Sequence, residues 1–312
     1  MRTPRKIFFA LMLAGILLGV GSGISLYTSG TGRAAASQAG RRTAPTSARG
    51  SLVNVFAARD GSSSGPVTAR DIALFDGGVE QKIQAFSPDP GPARIVLLVD
   101  NSLSLRSDVE KLAQATREFA YEIYEGDQVM VIGYDENAEI IADWTDDAKK
   151  IEAALPSFRK RGEPHLFDAL SAVIDQALGP LGAGTRKRVI VLVADGLDRG
   201  SKTRFKDALS ELQMQDITVY SLQITDRTGG ALRRDKPKPA QVIQQLVEGT
   251  GGRILSAIEP REAAKSICDE LRKHRYVLSY TPSYTSIFDS RRILIAANDG
   301  INVRSKLMQP AR

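Results

Sequence analysis

Two stretches of this 312-residue chain constrain its fold more than any others: Ile95 to Val99, opened by Arg94, and Val189 to Ala194. Each is an unbroken apolar run rich in β-branched residues and leucine, which a strand shows when both of its faces are covered. Helical spacing follows the first run, with Val109, Leu112, Ala113, Thr116, Phe119, Ala120 and Ile123 on one face. Gln128 to Tyr134 and Ala138 to Trp144 read as a hairpin around Asp135, Glu136 and Asn137. Helices are expected from Leu166 to Leu178, Lys202 to Gln213, Ala240 to Glu248 and Pro260 to His274. Ile217 to Ile224 and Arg253 to Leu255 supply further strands. This alternation predicts an α/β domain over residues 91–275, built on a doubly wound, mostly parallel sheet with helices on both faces.

The flanks are β in character. SLVNVFAA from Ser51, Ile72 to Phe75, and Val79 to Phe86 returning after an Asp76-Gly77-Gly78 turn are three strand candidates. Prolines 88, 90 and 92 then break the pattern. Residues 51–90 are too few to hold a sheet alone. Tyr276 to Tyr280, Arg292 to Ala297 and Ile301 to Val303 offer partners, so residues 276–312 are expected to pair with 51–90 in a small β subdomain made from both chain ends.

Residues 1–36 carry an export signal. Arg2, Arg5 and Lys6 precede an apolar run from Ile7 to Val20, and Ala34-Ala35-Ala36 offers a cleavage site. Extended to Tyr27, the run reaches the roughly 20 residues of a membrane span, so a cleaved signal and an anchor over residues 7–27 both remain open. Either places the rest of the chain outside the cytoplasm, periplasmic, secreted or anchored in the inner membrane. Residues 37–50 have no periodicity and read as a disordered linker. The first 50 residues hold seven basic side chains and no acid, so the chain's +6 becomes −1 over residues 51–312. Nucleic acid therefore loses its support as a partner, and contact with membrane is expected only through an uncleaved N-terminal segment. The single cysteine, Cys268, excludes internal disulfides and thiolate zinc clusters and is expected to be a core thiol.

The first buried strand ends in Asp100-Asn101-Ser102-Leu103-Ser104, a D-x-S-x-S pattern, and the second ends in Ala194-Asp195-Gly196-Leu197-Asp198. Ligand sites in such sheets lie beyond the carboxyl ends of the central strands. Hydroxyls and carboxylates brought together there are hard oxygen donors suited to Mg²⁺ or Mn²⁺ with positions left open. A competing reading is that Ser102 and Ser104 merely cap the next helix.

Taken together, these residues resemble a von Willebrand factor type A domain, whose metal-ion-dependent adhesion site carries D-x-S-x-S. The flanking stretches VTARDIALFDGGVEQKI at 67–83 and YVLSY at 276–280 resemble the acidobacterial-type, secreted bacterial members. The resemblance implies a Rossmann-like fold in which Ser102 and Ser104 ligate the ion directly, with Asp100 and Asp195 holding it through water. The family's third loop offers a threonine in G-G-T-x-L-[YF]-D-A. Here that loop reads Arg161-Gly162-Glu163-Pro164-His165-Leu166-Phe167-Asp168-Ala169, with Pro164 at the threonine position. Glu163 and His165 are the possible substitute ligands, and the metal site is expected to be degenerate.

The function expected is a non-enzymatic, extracytoplasmic module that binds a protein, extracellular-matrix or envelope ligand, through an acidic side chain where an ion is held. The alternative is a structural envelope scaffold with a vestigial metal site. A metal-dependent hydrolase is a third reading, and its general base would have to come from Glu163, Asp198 or His165. The basic clusters at 159–161, 186–188 and 233–236 are expected to be solvated loops.

Overall fold

A computed structural model describes residues 50–61, 65–105, 107–182, 185, 187–224, 238–283 and 289–311. The export signal, almost all of the linker and the basic cluster at 233–236 lie outside the described residues. The N-terminal strands are β1 (Ser51–Arg59), β2 (Ile72–Asp76), β3 (Val79–Gln81) and β4 (Ile83–Pro88). The central unit follows with β5 (Ala93–Asp100), α1 (Val109–Glu122), β6 (Gln128–Tyr134), β7 (Ala138–Thr145) and α2 (Ala148–Ala154). It continues through α3 (Leu166–Ala172), β8 (Lys187–Ala194), α4 (Phe205–Met214), β9 (Thr218–Gln223), α5 (Pro239–Thr250), β10 (Ile254–Ser256) and α6 (Pro260–Lys273). The chain closes with β11 (Arg275–Tyr280), β12 (Arg291–Ala297), β13 (Ile301–Ser305) and β14 (Met308–Gln309).

The central sheet runs β10-β9-β8-β5-β6-β7, parallel except for the edge strand β7. Alternation along the strands feeds two cores. Ile95, Leu97, Val99, Val191 and Val193 pack with Leu112, Phe119, Ile151, Ile267 and Leu271 of α1, α2 and α6. Val96, Leu98, Ile190 and Leu192 pack on the other face with Leu170, Ile174, Leu212, Ile243 and Leu246. Strands with both faces buried were the reason to expect parallel pairing, and the sheet has it.

The structure differs locally from the sequence reading in three places. The helix expected from Leu166 to Leu178 is α-helical only to Ala172 and widens to a π turn over Val173–Leu178. That wider turn buries Val173, Ile174, Ala177 and Leu178 together. The helix expected from Lys202 starts at Phe205, and the Lys202 and Thr203 amides before it donate to the Asp168 carboxylate (3.0 and 2.8 Å), which ties that loop to α3. α2, absent from the sequence reading, is only seven residues long and is capped by Asp147, which accepts from the Lys149 amide at 3.0 Å.

The chain ends build two antiparallel four-stranded sheets, β13-β1-β11-β4 and β14-β12-β2-β3. The single returning strand expected from Val79 to Phe86 is split at Lys82. β3 pairs with β2 in one sheet, while β4 crosses to pair with β11 in the other. Inward-facing Val53, Val55, Leu74, Leu278, Tyr280 and Ile293 form their shared core. Beside it Asp76, 2% exposed, accepts from Tyr280 Oη and Arg291 Nε, each at 2.8 Å.

This β unit is bolted to the base of the central sheet, where the strands begin. The Ala57 amide donates to the His274 carbonyl at 2.9 Å, and Leu307 to Gly249 at 3.1 Å. Arg275, fully buried, pairs with Asp89 at 3.4 Å. Lys187, expected in a solvated cluster, is also buried here, and desolvation lowers its pKa. The opposite, carboxyl-end face of the sheet is left to loops. Asp76→Ala should remove the acceptor shared by Tyr280 and Arg291 and lower stability by about 3 kcal/mol in urea unfolding. A loss below about 1 kcal/mol, the scale of an exposed pair, would contradict the role given to this carboxylate.

Candidate functional site

The crossovers reverse direction beside β5. One path leads through α1 to β6, whereas α2 and α3 carry the chain back to β8 on the other side. A crevice forms at such a reversal; Asp100 ends β5 and Asp195 directly follows β8, the two strands that border it. Both carboxylates make the same local turn. Asp100 Oδ1 accepts from the Ser102 amide at 2.9 Å, and Asp195 Oδ1 from the Leu197 amide at 2.8 Å. Gly196 permits the second turn. Its φ is +87°, and a Cβ there would sit 2.5 Å from the Pro239 carbonyl at the start of α5.

Asp100 is 1% exposed and Ser102 is fully buried. Asp100 Oδ2, Ser102 Oγ, Asn101 Oδ1 and Tyr134 Oη are buried and none meets a partner in hydrogen-bond geometry, although the Ser102 hydroxyl and the Tyr134 phenol lie close enough to the Asp100 carboxyl to lower its pKa. Burial pushes the Asp100 carboxyl up to about 6; bonding from Ser102 offsets part of that push and the nearby Asp195 charge adds to it. Tyr134 ends β6 in register with Asp100. Its phenol is raised well above its usual value by burial, with Asp100 and Asp195 adding to the shift. The sequence reading missed Tyr134, although the strand-end rule that selected Asp100 applies equally to the last residue of the neighbouring parallel strand.

The surrounding loops are tied by backbone bonds. Asn101 donates to Tyr134 O at 2.7 Å, Arg161 to Asn101 O at 3.0 Å, and Leu103 to Gly162 O at 3.1 Å. The third loop is thereby held against D-x-S-x-S. Ser104 Oγ donates to Glu163 Oε2 at 2.9 Å, and Arg199 Nη1 approaches the same oxygen at 3.1 Å. Pro164 is buried and contributes its carbonyl, which accepts from the Arg199 amide at 2.8 Å. His165 is turned toward Asp168, 3.9 Å from Nδ1 to carboxylate, and packs on Gly200, where any Cβ would overlap its ring. Asp198 accepts from Ser201 Oγ and, at 3.3 Å, from the Phe167 amide.

Of the sequence candidates, Asp100, Ser102 and Asp195 thus converge at the strand ends, and Ser104 and Glu163 are joined beside them. His165 is engaged with Asp168 and Gly200. The capping alternative for the serines does not hold, because α1 begins after Asp108, well beyond both.

The donor set suits a hard divalent ion. Buried oxygens left without partners are costly, and Asp100 Oδ2 and Ser102 Oγ are of the type Mg²⁺ and Mn²⁺ prefer. Among the described residues no three His, Cys, Asp or Glu side chains gather in one cluster, so an ion here would rest on hydroxyl and water donors as well as carboxylate.

A von Willebrand factor type A domain model matches residues 95–197, the stretch containing both strand ends and the third loop. No curated protein matches the sequence. Among solved structures, an aerotolerance-related membrane protein from Bacteroides fragilis NCTC 9343, with multiple mutations to serines, is similar at 20% identity. It covers 58% of this chain and 99% of its own length, with a TM-score of 0.43. The conserved hypothetical protein BatB from Bacteroides thetaiotaomicron is 18% identical over 58% of this chain and 98% of its own, with a TM-score of 0.44. A von Willebrand factor type A protein from Catenulispora acidiphila is 14% identical over 77% and 73%, with a TM-score of 0.46.

Because the Asp100 carboxyl titrates near 6 in the fold, above the ordinary aspartate range, its effect on stability has the less usual sign. Stability is fullest below about pH 4 and falls as the pH rises through 6, where the buried group must ionise. In chelator, Asp100→Asn should be about 2–3 kcal/mol more stable than wild type at pH 7 and equal to it near pH 4. Urea unfolding at four pH values checks this, and equal stability at pH 7 would contradict the burial argument.

Proposed function

We propose that the protein, whose residues 95–197 match a von Willebrand factor type A domain model, is an extracytoplasmic, non-enzymatic binding module. It engages a protein, matrix or envelope ligand through the carboxyl-end face of its central sheet. The observation that carries this reading is the group of buried, unpartnered oxygens on Asp100 and Ser102 at the sheet's reversal point. Asp100, Ser102, Ser104 and Asp195 would hold a Mg²⁺ or Mn²⁺ ion there, and an acidic side chain of the ligand would complete its shell, as the family resemblance implies. Leu103, 68% exposed between the two serines, adds an apolar contact on the same face. Export rests on the basic and apolar pattern of residues 1–36, and an anchor over residues 7–27 would keep the module at the inner membrane. Among the described residues no helix is long and apolar enough to cross a membrane.

A structural scaffold with a vestigial site is the second reading. Pro164 favours it, because a proline supplies no side-chain ligand where the family pattern has threonine. Titration calorimetry with Mg²⁺ and Mn²⁺ separates the two. The binding reading expects measurable heat with wild type, its loss in Ser102→Ala/Ser104→Ala, and tighter binding in Pro164→Thr. No heat and no thermal stabilisation by either ion in wild type would sink the metal-dependent form of the proposal.

A further inference from the structure

We propose that Glu163 serves the ion in place of the missing threonine, and that Arg199 is a built-in competitor latched onto it until the ion arrives. The inference rests on the metal-site reading above. The Glu163 carboxylate lies between two groups: Ser104 Oγ donates to it at 2.9 Å, while Arg199 Nη1 reaches its two oxygens at 3.1 and 3.4 Å. Two residues before Ser104, Ser102 Oγ and Asp100 Oδ2 are buried with no hydrogen-bond partner, so this corner has donors in place for a cation. The guanidinium is the one cationic side chain paired with Glu163 among the described residues.

Physical magnitudes decide which cation prevails. The pair is roughly half in solvent, with side-chain exposures of 42% for Arg199 and 48% for Glu163, so solvent screens it heavily. An exposed pair of this kind contributes at most about a fivefold factor to any equilibrium. A divalent ion held by additional oxygen donors carries twice the charge and becomes the largest local charge at the site. Exchange would need only side-chain movement. The loops remain joined without the ion pair, because the Arg199 amide donates to Pro164 O and the Leu103 amide to Gly162 O. Proline at 164 thus gives up a hydroxyl ligand but keeps a carbonyl that fixes the position of Arg199.

The test is Mg²⁺ titration calorimetry on the full chain, with thermal unfolding in chelator to confirm that each variant is folded. Arg199→Ala should bind Mg²⁺ about two- to fivefold more tightly than wild type, and Arg199→Lys should stay near wild type. Glu163→Gln should weaken binding about tenfold or more, and Arg199→Ala should bring no gain in that background. Wild-type binding that is unchanged or weakened by Arg199→Ala overturns the latch and leaves the metal site standing. A gain that persists with Glu163→Gln also overturns it, since the effect would then be general charge removal. No binding by wild type, Arg199→Ala or Arg199→Lys defeats the latch and the metal-site reading together.

Discussion

The face opposite the β unit depends on the reversal of crossover direction between β5 and β8. It brings the ends of two buried parallel strands side by side, with Asp100 closing one and Asp195 directly after the other. Neither strand can shift register without moving its core residues out of two packed layers, so the carboxylates are held by the whole sheet. Their Oδ1 atoms are used on amides two residues ahead. Asp100 is left with a buried second oxygen beside a buried serine hydroxyl and a buried phenol. That group is destabilising by itself, and a site selected for binding is the kind of place where such a cost persists.

The β unit leaves this face open by its placement. Both chain ends leave the central domain at its base, where β5 starts and α6 ends, and their pairing there covers Arg275, Asp89 and Lys187. Glu270 near the end of α6 accepts from Tyr220 Oη at 2.9 Å and pairs with Arg253 and Arg304, tying β9 and β13 into the same junction. The carboxyl-end loops are instead held to one another, by main-chain bonds among Asn101, Tyr134, Arg161, Gly162 and Leu103. A firm base and cross-tied loops hold the candidate ligands in position without enclosing them.

Much of this was legible in the sequence, for identifiable reasons. Continuous apolar runs mark strands buried on both faces, and Asp100 and Asp195 follow two of them directly. The pairing of both chain ends followed from each being too short to form a sheet alone. Other features depended on tertiary context. Nothing near Lys82 signals that one strand will divide between two sheets; anchoring Gln81 to Ser283 by two side-chain bonds is a long-range event. The loop before α4 is tied to Asp168, more than thirty residues earlier. Arg199 was invisible as a site residue because its partner, Glu163, lies on another loop, and only the fold brings them together. Tyr134 could have been found, since it closes the strand next to Asp100.

The strand-end oxygens are proposed to form a cation site. The most direct measurement is an anomalous difference map from crystals grown with Mn²⁺. A peak within coordination distance of the Ser102 and Ser104 hydroxyls, flanked by Asp100 and Asp195, is the result this account predicts. A map at saturating Mn²⁺ with no density there, and with Asp100 still facing an unfilled Ser102, would contradict it.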